Sequence, residues 1–479
     1  RHEQQGRGGR ERSEHPIEQE LGVRRNHVRR EDALAHPSLV RELAVPASVG
    51  TLFQTLYNIV DTFFAGKISP EALSALSKSF PIYFILVATS IGVTIAGTSL
   101  IGNSIGENDK KKVLYYFSNT IYFGVFISII ITFLGLYFSE TVFLLMGSTN
   151  EVTILGLEYT NVIFSGTIIF IMVVALNSLL HAEGDTKTFR NALIFSFFLN
   201  IILNPILIFG FMFIPAFGVE GIGIATIISQ TISLFIIFYK VMKNQRVKEM
   251  TKEFFLIKYI YLKDIFFQSM PISVAICGYS IASAIIFTYV GSSGEEAAAG
   301  YGAATRIEQV VLLPVLGINT AIISIIAQNY GAGNYLRIKQ SYYTAIKYAF
   351  IIMVTSGIFI YITSGIIPTF FSDNLEVIHY GKKYLQISAF VLPAYPIFFL
   401  SNGFFMALKK SENALITNFF RNIILPIVTF YVATYFVADF NTFFWIWVIS
   451  NWIFSVTLLF VVLYYIKNKL NKTGAVIQP

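Results

Sequence analysis

Long apolar stretches with almost no charge recur along the 479-residue chain, and they constrain its fold more than any other feature. A run of 18 or more apolar residues is long enough to cross the hydrocarbon core of a bilayer as a helix. Only 13% of the residues are charged, whereas globular proteins carry about a quarter. The sequence therefore predicts an all-α polytopic membrane protein.

Breaks containing charged residues, Gly, Pro or Asn divide the chain into twelve predicted transmembrane helices. The first six are predicted at 42–66, 80–104, 114–138, 154–181, 190–214 and 219–242. The second six are predicted at 266–291, 304–329, 341–367, 380–408, 415–437 and 441–466. We expect a disordered, atypical hydrophilic tail at 1–38, a six-helix lobe at 39–243, an inter-lobe loop at 244–264, a second six-helix lobe at 265–467 and a tail at 468–479.

The loops between these helices alternate in charge. Lysines cluster on one side, as in "GENDKKKV" (106–113), whereas the other side carries acidic or neutral loops such as "FSETVF" and "GSSGEE". Cytoplasmic loops carry an excess of Lys and Arg. We therefore expect a multi-pass protein of the cell membrane with both termini in the cytoplasm. The loop lysines also explain much of the net charge of +7, and no basic face with interleaved aromatics favours nucleic-acid binding.

The two halves of the chain repeat at an offset of 225 residues. "VPASV" (45–49) matches "MPISV" (270–274), and the same offset pairs Gly92 with Gly317 and Gly106 with Gly331. An offset that contains six transmembrane helices gives both halves the same orientation, so they are parallel repeats related by an axis along the membrane normal. Such architectures carry a solute between their halves, and we therefore predict a transporter.

One carboxylate, Asp61, lies inside the first predicted helix, within "YNIVDTFFAG". An ionisable group at the bilayer centre costs at least ~2.5–3.5 kcal/mol and is by default a functional candidate. Asn200 and Asn204 share a face of the fifth helix, and Thr226 lies in the sixth. A rise of ~1.5 Å per residue places these side chains at a depth similar to that of Asp61. Carboxylate, amide and hydroxyl oxygens suit a hard cation or a proton.

The second half offers no matching carboxylate. The residue at offset 225 from Asp61 is Ile286. Arg306 and Glu308 are expected near a helix end, at the level of the lipid head groups. The ionisable chemistry is therefore expected to be confined to the first half.

Three polar residues are candidates for the substrate cleft, and one proline is a candidate hinge. Gln54 and Asn58 follow helical spacing with Asp61 and share its face. Arg421, within "NFFRNIILP", lies deeper in its predicted helix than Arg306 and is a candidate to face the cleft. Pro46 lies in the first helix and is expected to bend it.

These motifs resemble the multidrug and toxic compound extrusion (MATE) transporters. The similarity rests on Pro46 followed by "YNIVDTFFAG", "LSALS", "LLHAEGDTKTFRNAL", "LNIILNP" and "GVEGIGIAT", and it covers nearly the whole chain from about residue 40. The resemblance implies two six-helix lobes and efflux of an organic solute, coupled to Na+ or H+ entry. An apolar, aromatic cavity with one acid suits amphipathic cations.

The family branch that this chain resembles has its ion site in the N-terminal lobe. By motif, the resemblance implies ion-coupling roles for Tyr57, Asp61, Asn177, Asn200, Asn204 and Thr226. Archaeal-like members carry aspartate at the position of Asn204, so Asp61 would be the sole carboxylate. Na+ would bind there only transiently, and the choice between Na+ and H+ stays open. We expect a monomer without cofactor or structural metal, whose partners are the solute and the lipid bilayer.

The main alternative is a lipid-linked saccharide or lipid flippase of the same superfamily. A flippase is expected to hold several cationic residues in its cleft, and only Arg421 is available here. A major-facilitator transporter would carry a Gly/Asp/Arg-rich signature where this chain has "GENDKKKV". An enzyme would require a cluster of nucleophile, base or metal ligands, which the sequence lacks. A channel would instead show flux driven only by the gradient of its own solute.

Overall fold

In a computed structural model of the chain, the structure describes residues 37–291, 293–371, 374–435 and 439–470. Most of the predicted tails lies outside these residues. Within these ranges, ten helices are long and apolar enough to cross a membrane, and two bent helix pairs counted as one span each bring the number to twelve. Helices dominate because they satisfy every backbone N–H and C=O internally, where no water is available. The predicted number of spans and the all-α class are confirmed.

The first lobe consists of six spans, labelled α1 to α6. Their bounds are α1 (Pro37–Ile68), α2 (Pro70–Gly106), α3 (Lys110–Leu145), α4a (Asn150–Ser165), α4b (Thr167–Ala182), α5 (Lys187–Phe209) and α6 (Gly218–Met242). The two parts of α4 are bent by 42°. The bend falls at Gly166, which packs so closely on Ile227 that a Cβ atom would overlap it.

The second lobe repeats this arrangement as α7 to α12. Their bounds are α7 (Tyr259–Gly291), α8 (Glu295–Gly331), α9 (Tyr335–Thr363), α10a (Leu375–Ser388), α10b (Tyr395–Ala407), α11 (Ser411–Tyr435) and α12 (Phe440–Tyr465). A bend of 42° again divides the fourth span of the lobe. The connections contain short helical turns at Gln245–Lys248, Lys252–Phe255 and Ile367–Phe370, and a π-helical turn, Ile466–Leu470, follows α12.

Two helices begin well before the spans predicted for them. α2 starts at Pro70, where the Ser69 side chain caps the helix by accepting a hydrogen bond from the Ala72 N–H. α8 starts at Glu295, because the alanine-rich segment that follows has high helix propensity although it is not strongly apolar. Glu308 consequently lies ~20 Å along α8, at a rise of ~1.5 Å per residue. The expectation that it lies near a helix end is wrong.

Glycines related by the repeat bring the two lobes together. Gly92 of α2 packs against Ser273 of α7, and Gly317 of α8 packs against Ser48 of α1. The two contacts are equivalent under the internal repeat, because each residue of one lies 225 positions from its counterpart in the other. A Cβ atom on either glycine would overlap the partner serine. We call this inter-lobe contact surface the seam.

The seam continues to the end of the helices that carries the basic loops. Gly106 lies against the backbone of Gln328, and Gly331 lies against the backbone of Asn103, again as images at the offset of 225. Asn103 also donates a hydrogen bond from Nδ2 to the Ala407 carbonyl of the other lobe at 2.9 Å. The basic end of the molecule is therefore closed.

Further from the basic end, the same helix faces separate. Ile85 and Val310 lie seven residues before Gly92 and Gly317, which is close to two turns at ~3.6 residues per turn, so they share the faces that form the seam. They are nevertheless 50% and 45% exposed. The two lobes are therefore not fully packed against each other at these positions, toward the end with the acidic and neutral loops.

Candidate functional site

Asp61 lies inside the first lobe, where α1 meets α5 and α6. Its side chain is only 3% exposed. Among the residues that the structure describes, no Lys or Arg forms an ion pair with it. A buried charge without a counter-ion is costly, so neutral hydrogen-bond donors or a bound cation must stabilise the carboxylate.

Four side chains predicted from the sequence form a closed ring of hydrogen bonds. Thr226 donates from Oγ1 to Asp61 Oδ2 at 2.9 Å, and Asn204 donates from Nδ2 to Asp61 Oδ1 at 3.2 Å. Asn200 completes the ring, because its Oδ1 accepts from Asn204 at 3.0 Å and its Nδ2 donates to Thr226 at 3.1 Å. The four-residue spacing of the asparagines places both amides on the same face of α5.

Two oxygens beside this ring have no hydrogen-bond partner. Asn204 Oδ1 is buried and unpaired, and so is the hydroxyl of Tyr57, one turn before Asp61 on α1. That hydroxyl lies near Ser196 and Ser229. A buried polar atom without a partner costs free energy unless a ligand satisfies it. Unpaired oxygens next to a carboxylate suit an alkali cation or a proton donor, both of which oxygen ligands bind well.

A cavity of about 50 Å³ adjoins Asp61. Gln54 and Asn58, the two cleft candidates of α1, line it together with Tyr57 and Thr226. A water molecule occupies ~30 Å³ in the liquid, so the cavity has room for one or two water-sized species. A cation or a proton-carrying water molecule could therefore reach the carboxylate.

The aromatic wall of this cavity was not found by sequence reasoning. Tyr83 of α2, Tyr159 of α4a and Phe170 of α4b line it. Aromatic residues are abundant throughout the chain, so composition did not distinguish these three. The signal that could have found them is the offset of 225, which pairs Tyr159 with Tyr384 and Phe170 with Tyr395.

Asn177 was predicted to join the ion-coupling set, but the structure does not bring it to Asp61. Its Nδ2 lies 3.1 Å from His181 Nε2. It sits one turn beyond Val174, a cavity residue on the same helix, toward the basic end. The helix therefore carries Asn177 past the depth of the carboxylate.

Pro46 lies in an unbroken α1, at the part of the helix that packs in the seam. Its neighbours Ala44 and Ser48 contact Gly317 of the other lobe. Proline cannot donate the backbone hydrogen bond of a regular helix, which makes this part of α1 easier to bend. The hinge role stays a prediction.

Arg421, a candidate for the substrate cleft, is largely buried, and its role in the cleft stays a prediction. It is 7% exposed, because α11 is packed against α7, α10b and α12 of its own lobe. Its guanidinium carbon lies 4.2 Å from the centre of the Phe398 ring. The side chain thus belongs to the interior of the second lobe.

Two asparagine variants test which residues support the Asp61 carboxylate. Asn204→Ala removes a donor to the carboxylate, and because hydrogen bonds to charged groups contribute about 1.5–3 kcal/mol, we expect cation-driven export to fall about tenfold or more. Asn177→Ala, an equally buried control, should change export less than about twofold, because its contacts are to His181. Initial export rates in proteoliposomes measure both effects, and equal losses would contradict the assignment.

Comparison with known proteins places this geometry in a family. A family model described as MatE matches residues 46–206 and 271–432. The chain is 25% identical over 310 residues to the "Probable multidrug resistance protein NorM" of Thermotoga maritima, covering 65% of this chain and 67% of that protein. It is 23% identical over 345 residues to the "FAD transporter" of Shewanella oneidensis, covering 72% and 76%.

The fold agrees with that of a solved transporter. A structure titled as the outward-facing conformation of a multidrug resistance MATE family transporter of the MOP superfamily superimposes with a TM-score of 0.85 at 25% identity, covering 92% of this chain and 98% of that one. The two matched segments start 225 residues apart, at 46 and 271, which is the offset of the internal repeat. Since these segments cover more than half of the chain, the protein belongs to the multidrug and toxic compound extrusion (MATE) family of membrane transporters.

Proposed function

We propose that the protein exports amphipathic organic cations by antiport with Na+ or H+, and that Asp61 carries the coupling charge. The observation that carries this proposal is a buried carboxylate without a counter-ion, held in a hydrogen-bonded ring beside a small cavity. Membership of a transporter family supports it, as do relatives named multidrug resistance and multidrug export proteins.

The proposed cycle starts from the conformation described here. The basic loops face the cytoplasm, as do both termini, so the closed seam is cytoplasmic and the cleft opens outward. A cation from outside reaches Asp61 through the adjoining cavity and neutralises it. The membrane potential contributes ~2.3 kcal/mol per charge per 100 mV to inward movement of that cation.

The helix α1 connects the ion site to the seam. Asp61 lies toward its outer end, and Ser48 packs against Gly317 of the second lobe ~20 Å away, at a rise of ~1.5 Å per residue. Neutralising the carboxylate changes how the outer part of α1 packs on α5 and α6. A bend near Pro46 would transmit this change to the seam and alter the cleft that holds the solute.

Dye efflux from proteoliposomes tests the proposal. Vesicles are loaded with rhodamine 123, a cationic dye, and an inward Na+ gradient or an inward proton gradient is imposed separately. We expect one or both gradients to drive efflux above that of protein-free vesicles. If neither gradient accelerates efflux by the folded protein, the antiport proposal is wrong.

A further inference from the structure

The second lobe contains a buried charged network that the ion site of the first lobe does not use. Glu308 of α8 and Arg421 of α11 are 6% and 7% exposed. The hydroxyl of Tyr384 donates a hydrogen bond to Glu308 Oε2. Tyr395 lies within interaction range of both Glu308 and Arg421. The network thus joins α8, α10a, α10b and α11.

This network occupies the place in the second lobe that the ion cavity occupies in the first. The offset of 225 pairs Tyr83, Tyr159, Phe170 and Ser196 of the first lobe with Glu308, Tyr384, Tyr395 and Arg421 of the second, in that order. Three of these first-lobe residues line the cavity beside Asp61, and Ser196 lies near Tyr57. The repeat therefore places two charged residues, Glu308 and Arg421, at positions equivalent to uncharged residues beside the first cavity.

In the second lobe, the positions equivalent to the Asp61 ring hold buried polar atoms that have no hydrogen-bond partner. Ile286 stands where the first lobe has Asp61. Thr429 is the repeat equivalent of Asn204, and Asn451 is the repeat equivalent of Thr226. Thr429 Oγ1 and Asn451 Oδ1 are buried and have no hydrogen-bond partner. The second lobe therefore has no carboxylate at the position of Asp61, and its buried acid, Glu308, lies on a different helix.

The donors of Arg421 are only partly filled. A guanidinium has five N–H donors. Nε has no hydrogen-bond partner, one terminal nitrogen makes a long contact of 3.4 Å with Asn422 Oδ1, and the side chain also interacts with the Tyr395 hydroxyl. Glu308 is not close enough to Arg421 for an ion pair. A buried cation with free donors is costly and would be stabilised by an anionic acceptor.

The local backbone and the surroundings of Arg421 also fit a binding site. It lies in a π-helical turn, Phe420–Ile424, within α11, and such turns are rare and frequent at functional sites. Tyr279 is 47% exposed and lies near Glu308, Arg421 and the exposed Gln309. Tyr279 is the repeat equivalent of Gln54, which lines the first cavity. The network therefore reaches exposed surface through Tyr279.

We propose that this network binds an anionic group, a carboxylate or a phosphate, of a transported organic solute, with Arg421 as its charged ligand. The proposal rests on the transport function proposed above, because an exported solute would occupy the site. Tyr395 and Tyr279 supply aromatic surface for the rest of the solute. Glu308 acts as a positioning residue that holds Tyr384. The first lobe would then bind the coupling cation, and the second lobe would recognise an acidic group of the solute.

A matched pair of dyes tests the site in purified protein without any ion gradient. Rhodamine 110 carries a free carboxylate, and rhodamine 123 is its methyl ester, so the two probes differ only at the proposed contact. Arg421→Gln should weaken rhodamine 110 binding about tenfold or more, since hydrogen bonds to charged groups contribute about 1.5–3 kcal/mol. Rhodamine 123 binding should change less than about twofold, and Arg421→Lys should retain part of the preference. Thr434→Val, an uncharged change at an exposed position of the same helix, is the control and should leave both affinities unchanged.

Wild-type protein supplies a second test that does not depend on folding of a variant. Benzoate and phenyl phosphate should displace rhodamine 110, whereas benzamide, an uncharged analogue of similar shape, should not. Equal loss of both dyes in a monodisperse Arg421→Gln protein, or equal competition by benzamide, overturns the proposal. Failure of the coupling role of Asp61 would leave these affinities untouched, and failure of this site would leave gradient-driven efflux of rhodamine 123 intact.

Discussion

A disulfide across the seam, between Gly102→Cys of α2 and Ala327→Cys of α8, is expected to stop export completely and reversibly. A Cβ atom at residue 102 would lie 3.1 Å from that of Ala327, near the ~3.5–4.5 Å found in disulfides. The chain contains one cysteine, Cys277, so Cys277→Ser gives a background free of other thiols. In the proposed cycle the seam must open on the cytoplasmic side, and the cross-link prevents this.

Dye efflux before and after oxidation, and again after reduction, measures the effect. The matched control joins two positions of the first lobe, Val162→Cys and Gly223→Cys, whose Cβ atoms would be 3.0 Å apart. That cross-link lies within one lobe and should leave the rate unchanged. Efflux at the uncross-linked rate from protein whose seam disulfide has formed fully would show that the lobes need not separate.

Asp61→Asn is expected to remove cation-driven export while leaving a folded protein. The substitution preserves side-chain size but removes the charge, and one of its terminal atoms becomes a donor facing donors from Thr226 or Asn204. Coupling free energies of 1–3 kcal/mol correspond to factors of about 5–150, so we expect a loss in that range. Glu140→Gln, which alters an exposed acid on α3, should have no effect.

The readout is the initial rate of dye efflux under an imposed gradient, with binding of the dye measured separately. Retained dye binding together with lost gradient dependence would place the defect in coupling rather than in folding. An Asp61→Asn transporter that exports dye against a gradient at the wild-type rate would refute the role of this residue.

Much of the architecture was predictable because its signals are local or periodic. Apolar runs gave the number of spans, and the offset of 225 gave two related lobes. The Asp61 ring was predictable because Asn200 and Asn204 are four residues apart and depth follows from the rise per residue. Neither argument required knowledge of which helices are neighbours.

The second-lobe network escaped prediction for a physical reason. The start of α8, "EEAAAGYGAATR", contains small and polar residues that do not resemble a membrane span, so Glu308 was assigned to a helix end. In the folded lobe these small residues pack closely, as at Gly300, where a Cβ atom would overlap the backbone of Val377. The early start of α8 thus follows from helix propensity and close packing, which hydropathy does not report.

The contacts that form the seam could not be predicted from the sequence, although the repeat identified its glycines. The repeat showed that Gly92 and Gly317 are equivalent, but an internal offset cannot say that each packs on a serine of the opposite lobe. Asn177 shows the corresponding limit within a lobe, because a motif shared with a family does not specify which side chains form hydrogen bonds with each other.

The most direct test of the central claim is the reverse exchange, in which the solute drives the cation. Vesicles containing the protein are given a rhodamine 123 gradient alone, and movement of Na+ or H+ is recorded for wild-type protein and for Asp61→Asn. Because coupling is reciprocal, we predict that dye flowing one way moves one of these cations the other way through wild-type protein only. Dye flux through wild-type protein without any counter-movement of Na+ or H+ would contradict the account.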